Sequence, residues 1–155
     1  MPQVFVTRRE TFSAAHRLHC NQLSDEENRE LYGPCNNPHG HGHNYSIEVF
    51  LYLKIISNHQ NIKVTVVGEP DHRTGMVMNI TDLKQIMKAR IMDVLDHKNI
   101  DKQVDYFGDG EVVSTTENIA VFCWNSMAQL IPHPAKLYSV KIWETEKNIV
   151  SYYGN

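Results

Sequence analysis

The hydrophobic period of this chain changes twice, and the order of those changes restricts the available folds more than any single motif. From Val4 to about Leu18, and again over Asn44 to Ile56 and Ile62 to Val67, β-branched and aromatic residues read as extended strand. The polar stretch between Asn21 and Asn37 reads as a long loop with a helical turn across Ser24 to Leu31, and Met76 to Ile80 as a short extended piece after a turn at Pro70 to Gly75. Leu83, Ile86, Met87, Val94 and Leu95 then form one apolar stripe on a 3.6-residue period, with Asn79 or Thr81 as N-cap and an end near Asp96. A loop from His97 to Val113 leads to a second helix. It opens on Ser114-Thr115-Thr116-Glu117, the S-x-x-E spacing of a capping box, and carries Ile119, Phe122, Cys123, Met127 and Leu130 inward until Pro132 and Pro134 stop it. Period two returns in Lys136 to Glu144 and Ile149 to Tyr153, which predicts a C-terminal hairpin. Strands, two helices, then strands predict an α+β domain: an antiparallel four-stranded sheet with both helices on one face. No repeat, low-complexity tract or linker interrupts the pattern, so residues 1–155 are read as one domain.

Composition narrows the function. With 155 residues, 41% of them hydrophobic, the chain is long enough to bury a core without a structural metal, so a metal site in it is expected to be functional. Its net charge of −3, without a Lys/Arg cluster, speaks against nucleic acid. The apolar run Val49 to Leu53 is far short of the ~18 residues of a membrane span, and Arg8, Arg9 and Glu10 fall where a signal peptide would be apolar. A cytoplasmic location is expected, which suits the odd cysteine count of Cys20, Cys35 and Cys123.

The chemistry concentrates in histidine, with nine in all and His16, His19, His39, His41 and His43 close together. On an extended backbone His41 and His43 share a face, and glycines at 40 and 42 allow close backbone approach. His16 stands beside them if the first two strands pair. Three imidazoles on zinc leave an open fourth position, the arrangement that polarises a substrate oxygen; an H-x-H pair on a solvated strand is the plain alternative. Cys35 lies within reach of that site if the loop folds back, and beside a cation a thiol ionises more readily and can act as base or nucleophile; otherwise it is a small buried hydrophobe, the reading given to Cys123. Asp96-His97 closes the first helix, where the helix dipole alone accounts for a histidine. Glu117 completes its capping box, and Glu144 at a strand end is either solvated or a fork accepting two N–H bonds. Neither a G-x-G-x-x-G turn nor a P-loop is present, so any redox chemistry is internal to the substrate.

FSAAHRLH, CNNPHGHGHNY, GMVMN, LDHKNID, STTENIAVF and WETEKNIVSYYG, in this order, closely resemble the 6-pyruvoyl-tetrahydropterin synthase family over almost the whole chain. The resemblance implies a tunnelling fold, in which sheets from several subunits close an oligomeric β-barrel, and a homohexamer built as a dimer of trimers. It implies zinc-dependent conversion of 7,8-dihydroneopterin triphosphate to 6-pyruvoyl-tetrahydropterin and triphosphate in tetrahydrobiopterin biosynthesis. One Zn2+ per subunit is implied on His16, His41 and His43, with Mg2+ as an auxiliary ion for activity and His19 and His39 outside the ligand set. Cys35 is the implied proton-abstracting thiolate, Asp96 and His97 complete its triad from a neighbouring subunit, and Glu117 and Glu144 hold the pterin. Two alternatives remain: a 6-carboxy-tetrahydropterin synthase activity, against which the C-x5-HGH spacing counts, and a noncatalytic pterin-binding or assembly module. One departure from the family bears on both. About fifteen apolar-rich residues, Ile47 to Asn61, intervene between HGHNY and the strand that family members reach almost directly. Such an insertion either lengthens the strand or shifts the register of the metal ligands.

Overall fold

The computed structural model describes residues 6–51, 66–67 and 70–154. Strand β1 (Val6–His16) pairs antiparallel with β2 (His41–Leu51), His16 opposite His41 and Ala14 opposite His43. Between them the chain forms α1 (Asp25–Tyr32) and a tight turn of helix at Gly33–Asn36. Helix α1 carries a true capping box: Ser24 Oγ accepts from Glu27 N–H, and the Glu27 carboxylate accepts from Ser24 N–H.

Pairing between β1 and β2 runs unshifted from His41 to Leu51, so the part of the inserted segment nearest the histidines, Ile47 to Leu51, extends the ligand-bearing strand in register. Residues 52–61 of that segment lie outside the described residues. A two-residue strand, β3 (Val66–Val67), follows and pairs with the chain near Leu137.

The first predicted helix is present but broken in its winding. It comprises α2 (Ile80–Met87), a wide turn at Lys88–Met92 and α3 (Asp93–Leu95), with Asn79 Oδ1 accepting from Thr81 N–H as the N-cap. Met76 to Asn79 form bends and not the expected extended piece, because the helix begins as soon as Asn79 can cap it. The expected loop after Asp96 contains β4 (Lys98–Asn99), α4 (Ile100–Gln103) and α5 (Asp105–Gly108).

Helix α6 (Thr116–Met127) corrects a second expectation. Thr115 is the N-cap, its hydroxyl accepting from Asn118 N–H, so the Ser114/Glu117 capping box does not form. Ile119, Cys123 and Met127 are fully buried as expected and Phe122 partly so, while Leu130 is 40% exposed beyond the helix end. Strands β5 (Lys136–Trp143) and β6 (Ile149–Tyr152) form the predicted hairpin.

Among the described residues the sheet is mixed and six-stranded, where four antiparallel strands were expected. Its order is β3-β5-β2-β1-β4, with β6 also on β5, and β4 runs parallel to β1 through Ala14 and Ala15. β3 falls within the extended segment expected over Ile62 to Val67, whereas β4, a two-residue strand with no period to read, was missed inside the expected loop. One core joins sheet and helices: Phe12, Tyr45, Ile47, Val140 and Ile142 meet Leu83, Met87, Ile91, Leu95, Ile119 and Met127. Both long helices therefore cover the same face of the sheet, and the histidines of β1 and β2 project into that covered side.

Candidate metal centre and adjoining cavity

Strand alternation assembles the centre. Phe12, Ala14 and His16 face the core from β1, and His41, His43 and Tyr45 face it from β2. His16 and His41 are direct cross-strand partners; His43 stands opposite Ala14, whose small side chain leaves its ring room to turn toward them. The ring centroids are 4.6 Å (His16–His41), 5.2 Å (His16–His43) and 4.9 Å (His41–His43) apart. One nitrogen from each ring falls within 4.8 Å of the others. The glycines serve the expected close approach: a Cβ on Gly40, itself at φ +75°, would sit 3.0 Å from His16 O, and one on Gly42 would sit 3.3 Å from Ala14 O.

Hydrogen bonding sets the chemistry of each ring. His16 Nδ1 lies 2.7 Å from the carbonyl of Ser114, an acceptor only, so Nδ1 carries the proton and Nε2 presents a lone pair to the cluster. Tyr45 Oη lies 3.3 Å from that Nε2. His41 Nδ1 and His43 Nε2 are buried without a hydrogen-bond partner among the described residues. Unpaired buried nitrogens cost free energy, and a divalent cation is a partner that would satisfy both while also taking the His16 Nε2 lone pair. Burial lowers the pKa of His16, opposed by the Ser114 carbonyl, and burial followed by the neighbouring His43 lowers that of His41. Both effects favour the neutral ligand form. Burial pushes the Tyr45 phenol well above its usual value, so it keeps its proton.

Glu144 and Glu117 share one wall of a cavity of about 560 Å3 that also includes Leu18, Thr115, Thr116 and Lys147. Thr116 Oγ1 donates to Glu144 Oε1 (2.8 Å) and Asn148 Nδ2 to Glu144 Oε2 (3.3 Å), while Oε1 stands 3.8 Å from His43 Nε2. The cavity thus opens beside the histidines, with two carboxylates available to N–H donors of a heterocycle.

Cys35 sits half-buried in the turn between α1 and β2, its carbonyl accepting from Leu18 N–H at 2.9 Å. Asp96 and His97 lie elsewhere, on the edge of β1, and neither makes a hydrogen bond or ion pair with Cys35. They do meet each other. His97 adopts φ +58°, which folds its Nδ1 to 3.0 Å from Asp96 Oδ2, while Asp96 Oδ1 accepts from Ser13 N–H (2.9 Å) and His97 N–H donates to Ser13 O (2.7 Å). The Ser13 N–H holds the Asp96 carboxyl below the usual carboxylate range. The His97 side chain is 84% exposed, so this strained, anchored pair points away from its own chain's core. Cys123 is fully buried on α6, and burial drives its thiol far up, which leaves it inert.

Three contributors escaped the sequence reading. Tyr45 could have been found by continuing the period of His41 and His43 one step. The Ser114 carbonyl, which holds His16, and the Asn36 side chain, which holds Arg17, Leu18 and His19, are distant in sequence from the groups they meet, for which no local signal exists.

The family model described as 6-pyruvoyl tetrahydropterin synthase matches residues 5–155. The chain belongs to the 6-pyruvoyl tetrahydropterin synthase family. Among its relatives, the 6-pyruvoyl tetrahydrobiopterin synthase of Drosophila melanogaster is 53% identical over 153 residues, covering 99% of this chain and 81% of the relative. The human 6-pyruvoyl tetrahydrobiopterin synthase is 51% identical, covering 98% of this chain and 92% of the relative. The structure of Caenorhabditis elegans 6-pyruvoyl tetrahydropterin synthase superposes with a TM-score of 0.84 at 42% identity, covering 100% of this chain and 98% of that one. Family members here are enzymes of pterin metabolism, and no described helix is long and apolar enough to cross a membrane.

Proposed function

We propose that the chain is a cytoplasmic, zinc-dependent 6-pyruvoyl-tetrahydropterin synthase that converts 7,8-dihydroneopterin triphosphate to 6-pyruvoyl-tetrahydropterin and triphosphate. The observation that carries the proposal is the set of three core-facing imidazoles, two of them with an unpaired buried nitrogen, beside a cavity walled by two carboxylates, in a chain of this family. His16, His41 and His43 hold the zinc, with His16 fixed in the ligating tautomer by the Ser114 carbonyl. Zinc supplies Lewis acidity toward the side-chain hydroxyl oxygens of the substrate.

The chain's own groups do the rest. Glu144, braced by Thr116 and Asn148, accepts N–H bonds from the pterin, and Glu117 on the same wall assists it. Cys35 removes the carbon-bound proton as general base. Asp96 and His97 serve the thiol of a neighbouring subunit, which fits their exposure and their lack of contact with Cys35 in their own chain. The ring gains the electron pair that the side chain loses as triphosphate departs, so no hydride carrier is required. The assembly is a homohexamer whose sheets pair edge to edge into a barrel. Magnesium is an auxiliary ion for activity.

The decisive experiment is mass-spectrometric analysis of products after incubating zinc-loaded protein with dihydroneopterin triphosphate. The pyruvoyl product with stoichiometric triphosphate is expected. A carboxy product transfers the chain to the carboxy-tetrahydropterin branch, and binding without triphosphate release makes it a noncatalytic pterin-binding module.

A further inference from the structure

A triphosphate ester needs cationic donors close to the metal ligands but not among them. The cavity at Glu117 and Glu144 sets two carboxylates against the single cation Lys147, which suits N–H donors better than an anion. A second cavity of about 310 Å3 balances Asp101 and Asp109 with Arg17 and Lys102 and adds the imidazoles of His19 and His39. Arg17 follows His16 directly and His19 lies three residues on; at no more than about 3.6 Å per residue, both start within about 11 Å of the His16 Cα.

Asn36 aims this pair. It is 4% exposed, the residue after Cys35, and its side-chain polar groups and its carbonyl are engaged. Its backbone carbonyl accepts from Arg17 Nε (2.8 Å) and its Oδ1 from Arg17 Nη2 (3.2 Å). Its Nδ2 donates to Leu18 O (2.7 Å) and to His19 Nδ1 (3.1 Å). The last bond makes Nδ1 the acceptor of His19, so Nε2 carries the proton and donates outward. Arg17 keeps its Nη1 donors and one on Nη2 free of Asn36. The acids on the same wall are tied to backbone: Asp101 Oδ2 accepts from Arg17 N–H (2.6 Å) and Asp109 Oδ1 from Glu111 N–H (3.1 Å).

We propose that Arg17 and His19, oriented by buried Asn36, form the subsite for the substrate's polyphosphate, with Lys102 and His39 at its rim. This assignment rests on the function proposed above. Its consequence is a shared support: the turn that carries the thiol base also carries the residue that aims the anion donors, so leaving group and base are registered against one another.

The test uses full-length, zinc-loaded protein with two separate probes, inorganic tripolyphosphate and unphosphorylated dihydroneopterin, in calorimetric titrations. Wild-type protein should bind tripolyphosphate in competition with the substrate. Arg17→Met and His19→Phe should each weaken tripolyphosphate binding about tenfold or more, the size of a lost charge-assisted hydrogen bond, and raise KM for the triphosphate substrate. Affinity for dihydroneopterin should stay within about twofold in both. Because Arg17 also braces Asn36, His19→Phe with a wild-type melting transition is the decisive variant. Wild-type tripolyphosphate affinity in both folded variants overturns the subsite. So does tripolyphosphate that binds without competing with substrate, the mark of a free-anion site elsewhere. A wild-type protein that neither binds dihydroneopterin nor releases triphosphate refutes the proposed function, and with it the assignment of this anion site to that substrate.

Discussion

Replacing His41 by phenylalanine should change stability in opposite directions with and without metal. His41 Nδ1 is buried and unpaired, and leaving such a group unsatisfied costs about 1–3 kcal/mol. A phenyl ring of nearly the same shape removes that cost and keeps the ring contacts at 4.6 Å to His16 and 4.9 Å to His43. Because His41 is only partly buried, the low end applies, so in excess chelator the variant should be more stable by about 1 kcal/mol. With zinc at 100 times the dissociation constant, wild-type protein gains about 2.7 kcal/mol. Two remaining imidazoles rarely hold zinc alone, so the variant forfeits that gain. The net reversal is then a variant roughly 1.7 kcal/mol less stable in zinc and about 1 kcal/mol more stable without it. Urea unfolding of both proteins, each with chelator and with zinc, reads the four values directly. A variant destabilised equally under both conditions would show that His41 is a packed core histidine, and the metal centre would have to be abandoned.

Three other outcomes follow from the same geometry. Asp96 has a folded-state pKa below its ordinary 3.8 because Ser13 N–H favours the charged form; its contribution is complete above 3.8 and disappears as pH falls through the lower folded value. The melting-temperature gap between wild type and Asp96→Asn should therefore hold constant from neutral pH to about pH 4 and close in stronger acid, and a gap unchanged there contradicts the assignment. Cys35→Ala should retain zinc while turnover falls by about 10² or more, and near-normal turnover would hand the role to Cys20. Mixed hexamers of inactive Cys35→Ala and inactive His97→Ala subunits should regain partial activity in a subunit-exchange assay; mixed assemblies that stay inactive would place the triad within one chain.

The convergence of the three histidines was legible because it depends on alternation alone. Once β1 and β2 pair, residues sharing a face are set by parity, so His41, His43 and, across the strand, His16 had to converge. What stayed hidden depends on single backbone choices. His97 sits just past a helix end, where the left-handed conformation is common and histidine tolerates it, yet nothing local distinguishes it from an ordinary continuation. That one dihedral brings Asp96 and His97 together and lets the chain run on into β4 beside β1, which makes the sheet mixed. The 3.6-residue stripe did foretell the packing of Leu83 through Leu95, but the widened turn at Lys88–Met92 inside it leaves the burial pattern nearly unchanged and so left no trace.

The cap of α6 ties the two halves of the site together, and its register matters more than its presence. With Thr115 as N-cap, the residues on either side are free for other work. Ser114, fully buried, turns its carbonyl to His16 Nδ1, and Thr116 gives its hydroxyl to Glu144. Had Ser114 been the cap, its carbonyl would have accepted the first bond within the helix and been lost to His16. His16 would then be free to take the other tautomer, with its proton where a metal must bind. A shift of one residue in a helix start would thus release both the His16 tautomer that leaves Nε2 unprotonated and the carboxylate on the cavity wall. The run Ser114-Thr115-Thr116 gives three consecutive residues able to cap, and the structure uses the middle one, which leaves the Ser114 carbonyl to His16 and the Thr116 hydroxyl to Glu144.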